Sequence, residues 1–150
     1  MNIEERFRSD AIRELYRYWL SLRADRAAPA RAQVDPMAMR RTLPHLGLFD
    51  VENDPRRYRV RIMGTEVVAW YGCDVTGRYL DEIDLGPDPA PVFAILDHVV
   101  ATMTPAHMTG DYVKQDGRQI RYERLVLPLS SNGKETNMLL GASIRSEAGA

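Results

Sequence analysis

The first hydrophobic pattern in the chain has the period of an α-helix and lies near the N-terminus. Apolar side chains recur there at the i, i+3, i+4, i+7 and i+8 spacing of one helix face, at Ile12, Leu15, Tyr16, Trp19 and Leu20. Ser9 or Asp10 can accept hydrogen bonds from the free amides of the first turn, so one of them is expected to cap the helix. Residues 23–36 break the period with two prolines, which predicts a linker after the helix.

Further along the chain, polar and apolar positions alternate with a period of two. Tyr58, Val60 and Ile62 are separated by arginines, as expected for a half-buried strand. A strong turn sequence, Asn-Asp-Pro at 53–55, precedes this strand. The strand is therefore predicted to form a hairpin with the apolar-rich residues 45–52.

The last third of the chain predicts three more strands, at residues 107–114, 118–127 and 135–144. Asp116-Gly117 is the strongest short hairpin signal in the sequence, and a Ser-Asn-Gly turn separates the second of these strands from the third. Pro128 is expected to end the second strand, because proline cannot donate a ladder hydrogen bond.

Two helices are predicted between the two groups of strands. Thr65 is expected to cap a short helix over residues 66–71, and Gly72 to supply its left-handed end. A second amphipathic helix is predicted over residues 92–103, with Asp88 as its cap. This order of elements predicts an α+β domain. It has a five-stranded antiparallel sheet with helices on one face and an extra N-terminal amphipathic helix.

Composition limits the classes of function. The 150 residues, 45% of them hydrophobic, suit one globular domain. A net charge of −1 gives no field that would draw the chain to nucleic acid or to an anionic membrane. The one cysteine, Cys73, excludes an intramolecular disulfide and a CxxC site. The sequence has neither a signal-peptide pattern nor a membrane-spanning apolar run, so we expect a cytoplasmic protein without membrane insertion.

The residues that carry chemistry form no catalytic set, and no metal site is predicted. The three histidines are scattered, without the i, i+4 spacing that places two imidazoles on one helix face. The acids Asp81, Glu82 and Asp84 lack the glycine and the distal glutamate of a calcium loop. We therefore expect a protein that binds and does not catalyse a reaction.

The order of elements and four stretches of sequence resemble the PAS domain. The stretches are YRYWLSLR, DPMAMRRTLPHLGLFDVE, YRVRIMGTEVVAWYGCDVTGRYLDEI and RLVLPLSSNGKETNMLLGAS. The similarity is to a family of small PAS-like proteins of alphaproteobacteria, and it covers residues 12–144. It implies a PAS sheet and a role in signal transduction, through ligand sensing or protein–protein contact. We expect an N-terminal helix and linker at 1–30, the PAS-like domain at 31–146 and a frayed tail at 147–150.

In a PAS arrangement, helices and one sheet face enclose a small-molecule cavity. The residues expected to line it are Trp70, Tyr71, Phe93, His98, Tyr112 and Tyr122. The alternative is that these side chains only fill a core. No cofactor is predicted, and the alternatives are a haem ligated by His98 or a flavin. The residues around Cys73 do not resemble the motif through which some PAS domains bond a flavin to cysteine.

The apolar face of the first helix predicts a contact between two copies of the chain. Ile12, Leu15, Tyr16 and Trp19 suit an isologous homodimer interface, and the alternative is that they pack on the chain's own sheet. The preferred function is a stand-alone signalling module that contacts an unidentified signalling protein, with or without a small ligand. A sensor loaded with a cofactor or metabolite is the second hypothesis, and an enzyme on an α+β scaffold is the third.

Overall fold

The computed structural model describes residues 2–86, 88–114 and 116–147. Its helices are α1 (Asp10–Arg23), α2 (Thr65–Tyr71) and α3 (Ala90–Thr102). Its strands are β1 (Leu46–Glu52), β2 (Arg57–Met63), β3 (Ala106–Val113), β4 (Gln119–Leu129) and β5 (Met138–Glu147). Each predicted helix and strand is present in the predicted order. Of the predicted frayed tail, Glu147 is the last residue of β5, and residues 148–150 lie outside the described residues.

The strands form one antiparallel sheet in the order β2-β1-β5-β4-β3. Hairpins join β1 to β2, β3 to β4 and β4 to β5, and the segment containing α2 and α3 carries the chain from one edge of the sheet to the other. The predicted α+β class with a five-stranded antiparallel sheet is therefore confirmed.

Hydrophobic cores lie on both faces of the sheet, because successive side chains of a strand point to opposite faces. On the first, which we call the α1 face, Leu125, Leu127 and Leu129 of β4 pack beneath α1. On the second, which we call the α3 face, Val126 of β4 and Leu139 of β5 pack against α3. The helices of the crossover thus cover one face, and the N-terminal helix covers the other.

The apolar stripe of α1 is buried within its own chain. The four side chains expected at a dimer contact are between 0% and 9% exposed: Ile12, Leu15, Tyr16 and Trp19. Trp19 Nε1 also donates a hydrogen bond of 2.9 Å to the carbonyl of Pro128 on the sheet. This packing corrects the predicted interface, because side chains that fill the core present no surface to a second copy. The homodimer itself stays a prediction.

The predicted linker packs with α1 as part of the same unit. Ala28 and Val34 belong to the core on the α1 face, and the carbonyl of Pro29 accepts a hydrogen bond of 2.9 Å from the Ser130 amide. The aromatic face of α1 needs the sheet to exclude water, so α1 and the segment after it pack with the sheet. The predicted boundary at residue 30 therefore lies within a region that packs as one unit.

The helix ends differ in detail from the predicted caps. Ser9 caps α1 by accepting a hydrogen bond from the Ala11 amide, and Gly72 ends α2 at a φ of 78°, both as predicted. Gly64 and not Thr65 occupies the N-cap of α2, and Pro89 and not Asp88 occupies that of α3. Among the described residues, no helix combines the length and the apolar character needed to cross a bilayer.

The prediction that Pro128 ends its strand is wrong, since β4 continues to Leu129. β3 pairs with β4 only as far as Val126, whereas β5 stays paired along the whole of β4. The Leu129 carbonyl points toward β5, where it accepts a hydrogen bond from the Asn137 amide. Backbone groups of successive strand residues point to opposite sides, so those of Pro128 point to the other side of β4, where β3 is no longer paired. The missing N–H of Pro128 therefore costs no ladder hydrogen bond.

Candidate functional site

A large open cavity lies on the α3 face of the sheet. Its walls are α2, the loop that follows α2, the start of α3 and the inward side chains of β3, β4 and β5. The cavity has a volume of about 1450 Å³, and typical small-molecule pockets measure about 300–1000 Å³. The site therefore has room for a ligand as well as solvent at its mouth.

Strand alternation brings polar side chains to the floor of this cavity. On β4, Tyr122 and Arg124 share a face with Val126, and on β5 Ser143 and Arg145 line the cavity with them. Arg124 Nε donates a hydrogen bond of 3.1 Å to Ser143 Oγ, and its guanidinium lies 4.9 Å from the centre of the Tyr122 ring. The floor is thus cationic at its centre, although the sheet around it is apolar.

Aromatic rings form one side of the cavity. Trp70 of α2 meets Tyr112 of β3 edge-on, with ring centres 5.8 Å apart, and Tyr112 lies 6.1 Å from Tyr122. The guanidinium of Arg145 lies 4.5 Å from the Trp70 ring centre, a distance at which cations and aromatic faces attract. Lys114 Nζ also lies 4.2 Å from the Trp70 ring centre. These contacts hold α2 against the sheet and place an aromatic wall beside the cationic floor.

Gly110 on β3 makes room for the Tyr122 ring. The two residues are paired across the β3–β4 ladder, and a Cβ at position 110 would lie only 2.6 Å from Tyr122 Oη. A larger residue here would push the ring into the cavity or away from it. The glycine thus sets the position of one wall.

Two polar atoms at the cavity are buried without a hydrogen-bond partner among the described residues. They are Tyr112 Oη and Arg145 Nε. Burial raises the pKa of the Tyr112 phenol, an effect that the nearby positive charge of Arg145 opposes. Burial also lowers the pKa of Arg124, and repulsion from Arg145 lowers it further. Both unpartnered atoms are enclosed by the protein and expose almost no surface, so a polar ligand group would meet the cavity-facing parts of Arg124 and Arg145.

The structure brings together four of the six residues predicted to line the pocket, namely Trp70, Tyr71, Tyr112 and Tyr122. Phe93 instead packs in the core on the α3 face, 6.5 Å from the Tyr58 ring. His98 is exposed on α3 and lies outside the cavity wall. In this fold it does not reach a haem in the cavity. Ligand binding by the other four stays a prediction.

Sequence reasoning did not single out Arg124, Ser143 or Arg145. Arginines on a strand are usually solvated, and the sequence offers many of them. The available signal was the alternation that places Arg124 two residues from Tyr122 and from Val126, on the same face as both. The alternation shows on which face of the sheet Arg124 lies, but not which element covers that face.

The acidic segment 81–84 carries structural ion pairs. Asp81 accepts two hydrogen bonds from Arg57, of 2.7 and 2.8 Å, and this guanidinium lowers the pKa of Asp81. Within the described part of the chain, groups of three or more His, Cys, Asp and Glu side chains placed to hold a metal are absent.

Comparison with known proteins gives a family and a fold. A family model described as a PAS domain matches residues 7–144, and the curated proteins contain no match. A light-oxygen-voltage domain studied with a flavin analogue is similar in structure, with a TM-score of 0.55 and 13% identity over 75% of this chain and 84% of that one.

Two further solved structures are similar at the level of the fold. The PAS domain of Bordetella pertussis BvgS has a TM-score of 0.52 and 16% identity, over 88% of this chain and 85% of that one. The Rhodobacter sphaeroides LOV protein has a TM-score of 0.53 and 14% identity, over 73% of this chain and 61% of that one. At such identities the likeness concerns the fold alone.

Proposed function

The chain belongs to the PAS domain family, and we propose that it is a signalling module that holds a small molecule in the cavity on the α3 face. The observation that carries this proposal is the pair of arginines, Arg124 and Arg145, that line the cavity without a carboxylate partner among the described residues. A ligand that accepts hydrogen bonds would satisfy both. We propose that the module binds its ligand without a catalytic step, and we give no side chain a catalytic role.

A signal needs a second protein, and we propose that it is passed by contact with a partner. Large apolar side chains are exposed at Met37, Leu43, Ile62 and Val113. Ile62 lies on β2 and Val113 on β3, which are the two edge strands of the sheet. Residues 77–79 already pair with β2 at Val60, so β3 is the edge strand better placed to offer backbone groups to another chain. A second copy of this chain or another signalling protein can use such a surface. We place the module in the cytoplasm, where the exposed thiol of Cys73 stays reduced.

A flavin is the second candidate ligand. Among the structurally similar proteins are light-oxygen-voltage domains, one of them studied with a flavin analogue. The cavity volume of about 1450 Å³ admits a tricyclic ring, and the aromatic side chains Trp70, Tyr112 and Tyr122 form one wall beside it. Cys73, on the exposed turn after α2, also lines the cavity.

Native mass spectrometry of the freshly purified protein, together with an absorbance scan from the near ultraviolet through the visible, tests the proposal. We expect a mass in excess of the chain that is released on denaturation. A visible flavin band would identify the second candidate, and extra mass without a band would indicate a colourless metabolite. Trp70→Ala is expected to lose the extra mass and His98→Ala to keep it. A bare chain mass in the wild type would contradict a ligand-loaded sensor and favour a docking module without a ligand.

A further inference from the structure

Two guanidinium groups lie side by side on the floor of the cavity. Arg124 on β4 is paired with Ser143, and Arg145 on β5 is paired with Tyr122, so the two arginines occupy diagonal positions on the same face of adjacent strands. Both are partly buried. Their charges are close enough for Arg145 to lower the pKa of Arg124.

Neither guanidinium has a carboxylate partner within the described residues. The hydrogen bonds of Arg124 go to Ser143 Oγ at 3.1 Å and to Met108 Sδ at 3.8 Å, which are neutral acceptors. Of the acids around the two cavities, Asp111 pairs with Arg121, and Asp116 and Glu147 pair with Arg118. Asp84 and Asp88 also line the larger cavity, on the segment between α2 and α3.

This arrangement is unfavourable for the empty protein. A partly buried charge without an opposite charge loses part of its hydration, and neutral hydrogen bonds and ring contacts offset that loss only in part; two such charges also repel each other. An anion placed between them would remove both penalties. The planar guanidinium donates paired hydrogen bonds to carboxylate and phosphate oxygens, so those groups suit the floor best.

We infer that the ligand carries a carboxylate or phosphate group bound by Arg124 and Arg145, with a flat apolar body against Trp70 and Tyr122. This inference rests on the proposed function, because it names the chemical class of the molecule in the same cavity.

The competing explanation is that a side chain of the protein neutralises the arginines. Glu66 of α2 lines the smaller adjoining cavity, of about 220 Å³, together with Arg145. A rotation of Glu66 toward Arg145 would supply the missing negative charge from within the chain. The experiment must therefore separate a ligand-binding role of the arginines from a structural one.

Three probes with the same naphthalene body separate the contribution of charge from that of the apolar ring. They are naphthoate and naphthyl phosphate, which are anions, and naphthamide, which is neutral. Binding is measured by calorimetry, and thermal unfolding is followed with and without each probe. The variants are Arg124→Met, Arg145→Met and Glu66→Gln. Arg41→Met is the matched control, because Arg41 is exposed, forms a salt bridge with Glu14 and does not line the cavity.

We expect an anionic probe to bind and to raise the unfolding temperature, with naphthamide roughly 10- to 100-fold weaker. Arg124→Met and Arg145→Met should weaken the anionic probe by a similar factor, whereas Arg41→Met and Glu66→Gln should not. Without a probe, Arg124→Met should be at least as stable as the wild type, because it removes an unpaired buried charge. Whether the carboxylate or the phosphate probe binds more tightly identifies the anion.

Equal binding of naphthamide and the anionic probes would overturn the inference and leave the proposed cavity function intact. A large loss of stability in ligand-free Arg145→Met and Glu66→Gln, with probe affinity unchanged, would assign Arg145 to a structural ion pair with Glu66 and also overturn the inference. If the wild type binds no probe and purifies as a bare chain, both the inference and the proposed ligand-binding function fail.

Discussion

Glu123 on β4 and His107 on β3 form a buried pair beneath the start of α1, with 2.8 Å between Glu123 Oε2 and His107 Nε2. The same carboxylate accepts hydrogen bonds of 2.7 and 2.9 Å from the amides of Arg8 and Ser9. Phe7 covers His107, with ring centres 4.9 Å apart. One carboxylate therefore ties the N-terminus of α1 to two strands of the sheet, and its negative charge suits the positive end of the helix dipole.

Replacing Glu123 with glutamine is expected to loosen this attachment. An amide has one acceptor oxygen in place of two, and its NH2 group would face either a backbone N–H or His107. We expect a loss of about 1–3 kcal/mol in the free energy of unfolding, measured by urea denaturation. Glu14→Gln is the control, since Glu14 forms an exposed salt bridge with Arg41 and should change stability by less than about 1 kcal/mol. Equal stability of the two variants would show that the anchor contributes nothing.

Truncation of Trp19 tests whether the α1 stripe belongs to the core or to a dimer. Trp19 is 3% exposed and donates to the Pro128 carbonyl, so Trp19→Ala should cost about 3–5 kcal/mol of folding free energy. Urea denaturation measures this loss, and light scattering reports the mass of the wild type and the variant. Arg17→Ala, on an exposed face of the same helix, should change neither quantity. A variant that keeps wild-type stability but dissociates from dimer to monomer would place Trp19 between copies.

Gly110 and Tyr122 should be energetically coupled. Gly110→Ala places a Cβ against the Tyr122 hydroxyl, so we expect it to destabilise the fold and to alter the absorbance and fluorescence of the tyrosines. In a Tyr122→Ala background the clash is absent, and the same substitution should be neutral or slightly stabilising. The double-mutant cycle measures the coupling as an interaction free energy, which we expect to be about 0.5–3 kcal/mol. Simple additivity would mean that the ring does not depend on the glycine.

Tyr58 links β2 to α3 by donating its hydroxyl hydrogen bond to Asp97. Burial and this hydrogen bond raise the pKa of Tyr58 above its ordinary value of 10.0. The folded chain therefore keeps a proton that the unfolded chain loses, so this contribution is fully present below pH 10 and falls as the pH rises above it.

Tyr58→Phe separates the hydrogen bond from the pH effect. At pH 8 we expect the variant to be less stable than the wild type by about 1–3 kcal/mol, because a hydrogen bond to a charged group is lost. Between pH 9 and pH 11 its urea midpoint should fall less than that of the wild type. Parallel pH profiles for the two proteins would contradict the assignment.

Local patterns predicted the elements and their order. The period of Ile12, Leu15, Tyr16 and Trp19 specified a helix with an aromatic face, and the alternation around Tyr58 specified a strand, because both depend only on backbone geometry and on neighbours close in sequence. Helix ends are also predictable from local sequence: the place of Gly72 after the apolar residues of α2 predicts a left-handed helix end, which the structure has. The resemblance to the PAS domain then assembled these elements into the sheet that the structure has.

What covers each face depended on residues far apart in the chain. The apolar stripe of α1 is core and not interface because β4 and β5 lie beneath it. Pro128 remains in β4 because the pairing of β3 with β4 stops at Val126, two residues before the proline. Arg124 and Arg145 came together across a ladder whose pairing depends on the register of β4 and β5. Charge burial follows from such contacts, since a strand's own sequence shows which side chains share a face but not whether water, a helix or a ligand lies over them.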